Sequence, residues 1–543
     1  MGRLSNTVAR ANRRLPFKLA AVLLAGSSLI ASLLGLFRDR LLNGMYYESY
    51  PSGIDAYTVA FTIPDFMFFI LVSGALSVTF IPVFNQRLAS GNKKSAWELS
   101  TSLVNLMAIV TLIASILIII FADSLVRYVV GPGLDEAGQS LATSMMRVIA
   151  VNPFLFAVAT VVASMQQAVG RFAFFALAPT LYNIGIIIGA LFFTNGISIF
   201  GIEIFEGGIM GVALGVVLGS ILQLLVSSIG LLGMGFDYRF KIYWKNKGFR
   251  RVLGLLPPRS LDQGMDYVNS LVETNLASRM AAGSVRAYQQ ATALSYVPIN
   301  LIGVAISTAA FPKMTERMGQ GRPDLFKSEL QTVLRVIIWL ALPVTVVAFF
   351  GRGYLVNFIY NGGDSLMASI FAILAVSILF RSIYFISARS FYAQQDTKTP
   401  LYISIFTIAL NITLAVWLSL GVGMGVYGLA WAAVIVSVVE VSILFYIMSR
   451  RINGLFDAPF IHAIGRMASA AGFMTVVTYA LVSALPLSAF DQSFFSSFPK
   501  FFIISLVSLA TYLLFCYLLK LEEVRPIINR MKKILFKRPE GLS

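Results

Sequence analysis

The sequence predicts an all-α polytopic membrane protein with fourteen transmembrane helices, arranged as two parallel six-helix repeats followed by two extra C-terminal helices. Three observations predict this fold class: a very apolar composition, fourteen apolar segments of membrane length, and an internal repeat. The 543 residues are 57% hydrophobic and only 12% charged, with a mean hydropathy of +0.80, whereas soluble domains carry about a quarter charged residues. The chain is therefore expected to cross a bilayer many times.

Hydropathy places the apolar segments along almost the whole chain. They span, in order, 18–37, 56–84, 99–121, 140–166, 174–194, 208–234, 255–278, 288–312, 328–350, 366–392, 401–419, 426–449, 461–485 and 501–519. An α-helix of about 20 residues crosses the hydrocarbon core, so each segment is a candidate span. The first apolar run is too long for the core of a signal peptide, and we expect an uncleaved first helix.

Polar landmarks recur at an offset of about 230 residues, which indicates an internal duplication. The matching pairs are Ser77-x4-Pro82 with Ser307-x4-Pro312, Arg87 and Gly91 with Arg317 and Gly321, Gln166-Gln167 with Gln394-Gln395, and Asn183-Ile184 with Asn411-Ile412. Six helices per half keep both halves in the same orientation, so the repeat is predicted to be parallel. Duplicated membrane domains of this kind are typical of transporters.

The basic residues indicate the orientation of the chain. Most of the 42 Lys and Arg residues lie in alternate loops, beginning with the N-terminal tail, so the positive-inside rule predicts that both termini are cytoplasmic. The net charge of +17 is therefore topological, and we expect contact with membrane lipids and not with nucleic acid. The predicted domains are an N-lobe over 1–235, a basic cytoplasmic linker over 236–251, a C-lobe over 252–450, two further helices over 451–520 and a basic cytoplasmic tail over 521–543. Nothing in the sequence predicts an oligomeric state.

The composition argues against an enzyme. The chain has one cysteine, Cys516, and one histidine, His462. These numbers exclude an intramolecular disulfide, a cage of cysteines or histidines around a metal, and a Ser-His-Asp triad within the chain. No nucleophile paired with a base is visible, so no catalytic residue and no cofactor is predicted.

Segment 7 carries the densest set of polar side chains inside a membrane segment. Asp262, Asp266, Asn269 and Glu273 follow i, i+4, i+7, i+11 spacing and share one helix face. An ionisable side chain costs roughly 2.5–3.5 kcal/mol at the centre of a membrane helix, which favours an interior position. The face is interpreted as a cavity wall or a site for a coupling ion such as Na⁺ near Asp266, or else as a water-facing stripe without a ligand. Asn411 of the second half is added to this set.

Arginines are the other candidates for a site. Arg38, Asp39 and Asp55 lie near the predicted outer mouth, where Arg38 either forms a salt bridge that closes an outer gate or contacts an anionic substrate. Arg381 and Arg389 lie within segment 10, and the planar guanidinium fork suits phosphate. Arg389 could instead extend to the cytoplasmic surface.

Motifs along segments 1 to 12 resemble the MurJ (MviN) family of lipid II flippases, within the multidrug/oligosaccharidyl-lipid/polysaccharide exporter superfamily. In the first half they are Leu34-Gly35-Leu36-Phe37-Arg38-Asp39, Asp55 to Pro64, Gly74-Ala75-Leu76-Ser77, Phe80-Ile81-Pro82-Val83, and Arg171-Phe172 followed by Ala178-Pro179-Thr180. In the second half they are Ala282-Gly283-Ser284-Val285, Gly303-Val304-Ala305, Leu340-Ala341-Leu342-Pro343, and Phe391-Tyr392 followed by Gln395-Asp396-Thr397-Lys398-Thr399-Pro400. Each motif is weak alone, but the set is specific to the family.

The resemblance implies two six-helix lobes around a cationic cavity in the bacterial cytoplasmic membrane. A polyprenyl-diphosphate-linked disaccharide-pentapeptide would pass from the inner to the outer leaflet by alternating access, in the service of peptidoglycan biosynthesis and cell shape. Helices 13 and 14 would form a groove for the lipid tail, and the membrane potential or a sodium gradient would reset the cycle.

The sequence departs from the family pattern at the expected cavity. Basic residues that are usual in the family are replaced at Ser32, Phe68, Phe69 and Ala293. Arg38 is retained, and segment 7 gains acids at Asp266 and Glu273. The leading hypothesis is a flippase for lipid II, and the second is a flippase for another lipid-linked oligosaccharide or a cation-coupled drug antiporter. A non-transporting membrane scaffold is the third.

Overall fold

The computed structural model describes residues 17–525, apart from 73–74, 200–201, 237, 361–362, 489–490 and 492, and apart from the side chains of 75–79, 255–266 and a few others. Within this range the chain divides into two compact units, with the boundary between Arg286 and Ala287. The elements of the first unit are α1 (Phe17–Tyr46), α2 (Pro51–Leu71), α3 (Ala75–Ala89), α4 (Lys93–Ser124), α5 (Glu136–Ile149), α6 (Asn152–Ala168), α7 (Ala173–Phe192), β1 (Ile197–Ile199), β2 (Ile202–Phe205), α8 (Met210–Ile229) and α9 (Lys247–Ser278).

The second unit begins inside the next helix. Its elements are α10 (Ser284–Ile299), α11 (Ala305–Gly319), α12 (Pro323–Phe350), α13 (Arg352–Ile359), α14 (Ser365–Ala393), α15 (Lys398–Val416), α16 (Val426–Arg451), α17 (Ala458–Ala484) and α18 (Phe494–Leu518). Single π-helical turns extend α4 through Val130, join α10 to α11, and extend α15 through Gly421.

The helical prediction is confirmed, with a small addition. Twelve helical spans within the described residues are long and apolar enough to cross a membrane. The first and seventh of the predicted fourteen, which correspond to α1 and α9, are not among the twelve, so the count of fourteen stays a prediction. The strands β1 and β2 form a short antiparallel hairpin between α7 and α8, which hydropathy did not indicate because it lies in a loop between two apolar segments.

Two predicted segments are broken where the sequence pattern suggested continuity. Segment 2, predicted over 56–84, is divided between α2 and α3. Segment 4, predicted over 140–166, is divided between α5 and α6, and the second helix begins at Asn152-Pro153. Proline has no N–H to donate within a helix, so it is favoured in the first turn of a new one. Hydropathy alone does not detect such a break because both sides are apolar.

The repeat is visible as matching helix ends. Gly91 follows α3 and Gly321 follows α11, with φ angles of 75° and 66°. In each case the residue after the glycine donates its N–H to the carbonyl of Arg87 or Arg317, at 3.1 Å. A left-handed backbone at this place favours glycine. The sequence landmarks therefore mark the same helix-ending turn in both halves.

Glycines make a close helix crossing between α7 and α8. A Cβ atom added to Gly185 would lie 2.3 Å from the Cα of Gly219, and one added to Gly189 would lie 2.4 Å from the Cα of Gly215. The two backbones are therefore in direct contact. Small residues at such crossings allow close van der Waals packing, which is a main source of helix association in lipid.

The last helix of the second unit is fixed to α12. The indole N–H of Trp339 donates to the Sγ of Cys516 at 3.4 Å, and the hydroxyl of Tyr512 donates to the carbonyl of Trp339 at 3.0 Å. Arg335 on α12 forms ion pairs with two acids beyond α18, Glu523 at 2.5 Å and Glu522 at 3.3 Å. The sole cysteine is thus a buried packing residue of this contact.

The motif around Asp396 closes the loop between α14 and α15. Its carboxylate accepts the backbone N–H groups of Lys398 and Thr399 at 3.0 Å each, the hydroxyl of Thr399 at 2.6 Å and the guanidinium of Arg451 at 2.6 Å. Desolvation alone would raise the pKa of Asp396. The hydrogen bonds from Thr399 and the ion pair with Arg451 outweigh it and lower the pKa to about 2.

Asp396→Asn should lower the thermal stability of the protein at neutral pH. Because the folded-state pKa lies below the usual value near 4, the stabilisation by Asp396 is present above about pH 4 and is lost as the pH falls towards 2. The melting temperatures of wild-type and variant protein in detergent should therefore differ at pH 7 and approach each other as the pH falls from 4 through 2. A difference that stays the same over this range would contradict the assignment.

Candidate functional site

Arg38 lies at the centre of a polar network in the first unit. Its Nε and Nη2 donate to Oδ1 of Asp39 at 3.2 and 3.0 Å, and its Nη1 donates to Oδ1 of Asn183 on α7 at 2.9 Å. Asn183 in turn donates to the carbonyls of Ala31 and Pro179 at 3.2 Å. Arg38 is therefore held in one orientation, with its side chain still 22% exposed. Of the predicted partners of Arg38, the structure places Asp39 beside it.

Arg286 is the second guanidinium of this network, and the sequence analysis missed it. Its Nη2 lies 3.3 Å from Oδ1 of Asp39, and its Nε donates to Oδ1 of Asn43 at 2.9 Å. Both Arg286 and Asn43 are almost completely buried. Arg286 could have been found from the sequence because it lies two residues before predicted segment 8. A buried arginine at such a position requires a partner.

Asp55 does not pair with Arg38. Its side chain is 1% exposed, and its two oxygens accept the backbone N–H groups of Gly283 at 2.7 Å and Arg286 at 2.8 Å. These amides belong to the N-terminal end of α10, where backbone N–H groups have no partner within the helix. Asp55 thus fixes the beginning of α10, and with it the backbone that carries Arg286.

The acidic face predicted on segment 7 belongs to α9. Asn269 donates from Nδ2 to Oε1 of Glu273 at 2.9 Å, one helical turn away. The side chains of Asp262 and Asp266 lie outside the described residues. Within the part of the chain that is described, no group of three or more histidine, cysteine or acidic side chains is arranged to hold a metal ion.

The second unit contains a buried ion pair that was only half predicted. Arg381 on α14 lies 3.4 Å from Oε2 of Glu440 on α16, and the hydroxyl of Thr407 on α15 donates to Oε1 of the same carboxylate at 3.1 Å. Glu440 is 4% exposed. The sequence indicated Arg381 as a candidate but not Glu440, although the cost of an acid within an apolar segment was a usable signal. Asn411 is buried on α15, one turn from Thr407.

Arg389 is bound to its own unit. Its Nη1 donates to the carbonyl of Val304 at 2.9 Å and also contacts the hydroxyl of Ser307. Val304 ends the π-helical turn between α10 and α11. The guanidinium fork of Arg389 is therefore used, at least in part, to tie α14 to these helices.

The positions at which the basic residues usual in the family are replaced carry small or aromatic side chains. Ser32 lines a groove of about 350 Å³ between α1 and α7, together with small and apolar residues. Phe68 and Phe69 are in ring contact with each other at 5.3 Å. The ring of Phe69 also stacks on Tyr267 of α9 at 4.2 Å. Ala293 is exposed on α10. None of these side chains can bind a phosphate as a cation would.

Comparison with known proteins agrees with this architecture. The family model described as lipid II flippase MurJ matches residues 52–508. A protein of Thermotoga maritima named probable lipid II flippase MurJ is 26% identical over 91% of this chain and 95% of its own length. A lipid II flippase MurJ of Burkholderia cenocepacia is 26% identical over 71% of this chain and 75% of its own.

Solved structures share the fold. A lipid II flippase MurJ in an inward closed conformation superposes with a TM-score of 0.75 at 23% identity, covering 93% of this chain and all of that one. An inward-facing multidrug resistance transporter of the MATE family gives a TM-score of 0.66 at 17% identity over 81% of this chain.

These findings define a multi-pass membrane protein of the bacterial cytoplasmic membrane. Since the family model covers most of its length, the chain belongs to the MurJ family of lipid II flippases.

Arg286→Met should destabilise the first unit, because it removes the buried donor to Asn43 and one of the two cations beside Asp39. The expected loss is on the order of 3 kcal/mol, measured as a lower melting temperature in detergent. Arg127→Met is the matched control, since it removes an exposed ion pair with Asp123 at 2.8 Å, and it should change the melting temperature little. Equal losses in the two variants would contradict the buried role of Arg286.

Proposed function

We propose that this protein is a flippase that moves lipid II, a polyprenyl-diphosphate-linked peptidoglycan precursor, from the inner to the outer leaflet by alternating access. The observation that carries the proposal is the match of the MurJ family model over residues 52–508. The relatives with this name cover most of the chain at about a quarter identity. The distribution of basic loops supports an orientation with both termini in the cytoplasm.

The polar network of the first unit supports a role for Arg38 in binding the anionic head group. Three of its five N–H groups are used by Asp39 and Asn183, so two remain for a ligand. The fixed orientation lowers the entropy cost of binding phosphate through the fork. Arg381 and Arg389, which have partners on Glu440 and Val304, are proposed as second contributors.

Arg38→Glu should abolish flipping without loss of protein from the membrane. The change places a second carboxylate beside Asp39 and repels a diphosphate, whereas Arg38→Lys keeps the charge and should retain part of the activity. The measurement is lipid II exposed on the outer leaflet of a bacterium depleted of its own flippase. Arg127→Glu, an exposed change in the same unit, should restore exposure as well as the wild type. Full activity of Arg38→Glu would remove Arg38 from the site.

We further propose that a sodium gradient or the membrane potential resets the transport cycle. The acidic face of α9 supports this proposal, because carboxylate and amide oxygens such as those of Glu273 and Asn269 suit a small hard cation. In proteoliposomes, replacing Na⁺ by N-methylglucamine should slow flipping by the wild type, and Asp266→Asn and Glu273→Gln should respond less. Identical rates with and without Na⁺, at a fixed potential, would leave only the potential as the driving force.

A further inference from the structure

Asp65 is a membrane-embedded carboxyl group that the proposed mechanism does not use. It follows Pro64 within α2, a helix of 21 residues that spans the apolar region. Its side chain is half-buried, and none of the described residues donates a hydrogen bond or ion pair to it. An ionised carboxylate in this place costs several kcal/mol unless a positive group accompanies it.

The surroundings of Asp65 are aromatic. On α2, Phe61 lies one turn before it and Phe68 and Phe69 lie one turn after it, so all three share its face. The ring of Phe68 contacts Phe156 of α6 at 5.5 Å.

The aromatic series continues onto α7. The ring of Phe156 contacts Tyr182 edge-on at 5.3 Å, and the carboxylate of Asp65 is within electrostatic range of the phenols of Tyr182 and Tyr57. Most of these rings are only half-buried, so part of each ring surface is exposed. Three helices of the first unit therefore contribute to one aromatic wall, and Asp65 is the carboxylate on it among the side chains that are described.

Arg38, a basic residue near the same tyrosines, already has partners within the protein. Arg38 is also within electrostatic range of Tyr57 and Tyr182, but it donates its hydrogen bonds to Asp39 and Asn183. The tyrosines therefore separate a compensated arginine from an uncompensated aspartate. Among the residues whose side chains are described, the wall around Asp65 has no cationic group that could donate to a phosphate.

The chemistry of this wall matches an ammonium group. A carboxylate supplies the counter-charge, and aromatic rings attract a cation through their negative faces. A proton would neutralise Asp65 but would gain nothing from the rings. We propose that Asp65 is the anionic centre of a binding site for an organic ammonium group, bounded by Phe68, Phe156 and Tyr182. This site goes beyond the proposed flipping of a diphosphate-linked lipid, because it selects a positive group on the ligand.

The test uses the purified full-length protein in detergent. The probe is a dansyl-labelled trimethylammonium compound, and its reference is the isosteric neutral analogue in which a carbon replaces the nitrogen. The wild type should bind the cation roughly tenfold or more tighter than the neutral analogue, measured by fluorescence anisotropy. Asp65→Asn should lose this preference and Asp65→Glu should keep part of it.

Control variants separate the site from general effects. Phe68→Leu should weaken binding of the cation several-fold and binding of the neutral analogue less, because it removes a ring and keeps an apolar side chain. Glu136→Gln, which changes an exposed acid in the first turn of α5, should leave both affinities unchanged. If Asp65→Asn does not fold, the preference of the wild type and its loss in Phe68→Leu still decide the question.

Competition then identifies the source of the ammonium. Displacement of the probe by a lipid-linked disaccharide-pentapeptide with a free side-chain amine, but not by its N-acetylated form, would support an amine on the transported head group. Probe binding that neither precursor displaces would support a free lipophilic amine. Equal affinity for the cation and the neutral analogue, or an unchanged preference in Asp65→Asn, would overturn the proposal.

A third result would also overturn it. Absence of probe binding, together with a flipping rate that loses its pH dependence in Asp65→Asn, would assign Asp65 to a proton. The binding measurement requires no transport, so its failure is distinct from a failure of the proposed flippase function.

Discussion

Asp39 accepts ion pairs from two guanidinium groups, and the polar interior of the first unit is organised around that shared carboxylate. The hydrocarbon interior of a bilayer offers no water, so a charge there is favoured where it has a partner within the protein or faces a water-filled cavity. Arg38 extends the network to α7 and Arg286 extends it to the beginning of α10. Asp55 accepts hydrogen bonds from two backbone amides at the beginning of α10, and these bonds fix the backbone that carries Arg286. The network therefore positions three helices and leaves one arginine partly accessible.

The sequence predicted the fold well and the site in part. Apolar segments and polar landmarks are local properties, and they identified the helices and the matching turns at Gly91 and Gly321. The pair Arg38 and Asp39 was also visible because the two residues are adjacent. The partners of Asp55 were not, since Gly283 and Arg286 reach it through tertiary structure.

The acids Asp65 and Glu440 were overlooked for a different reason. A hydropathy average over about twenty residues conceals one charge among apolar neighbours. The cost of inserting that charge is nevertheless large, so each ionisable residue in an apolar run is a sequence-level signal in its own right. In this chain the acid next to Pro64 lies one turn from Phe68 and Phe69, where the family usually has basic residues.

The glycine contact between α7 and α8 has a mechanical consequence. Because the backbones touch at Gly185 and Gly189, sliding one helix along the other by a single residue would bring side chains into contact where there is no space for them. We therefore expect the two helices, with the hairpin that joins them, to move as one rigid body. We expect spectroscopic labels placed on α7 and α8 to keep a constant separation throughout a transport cycle. The distance between them can therefore serve as a reference for measuring the motion of other helices.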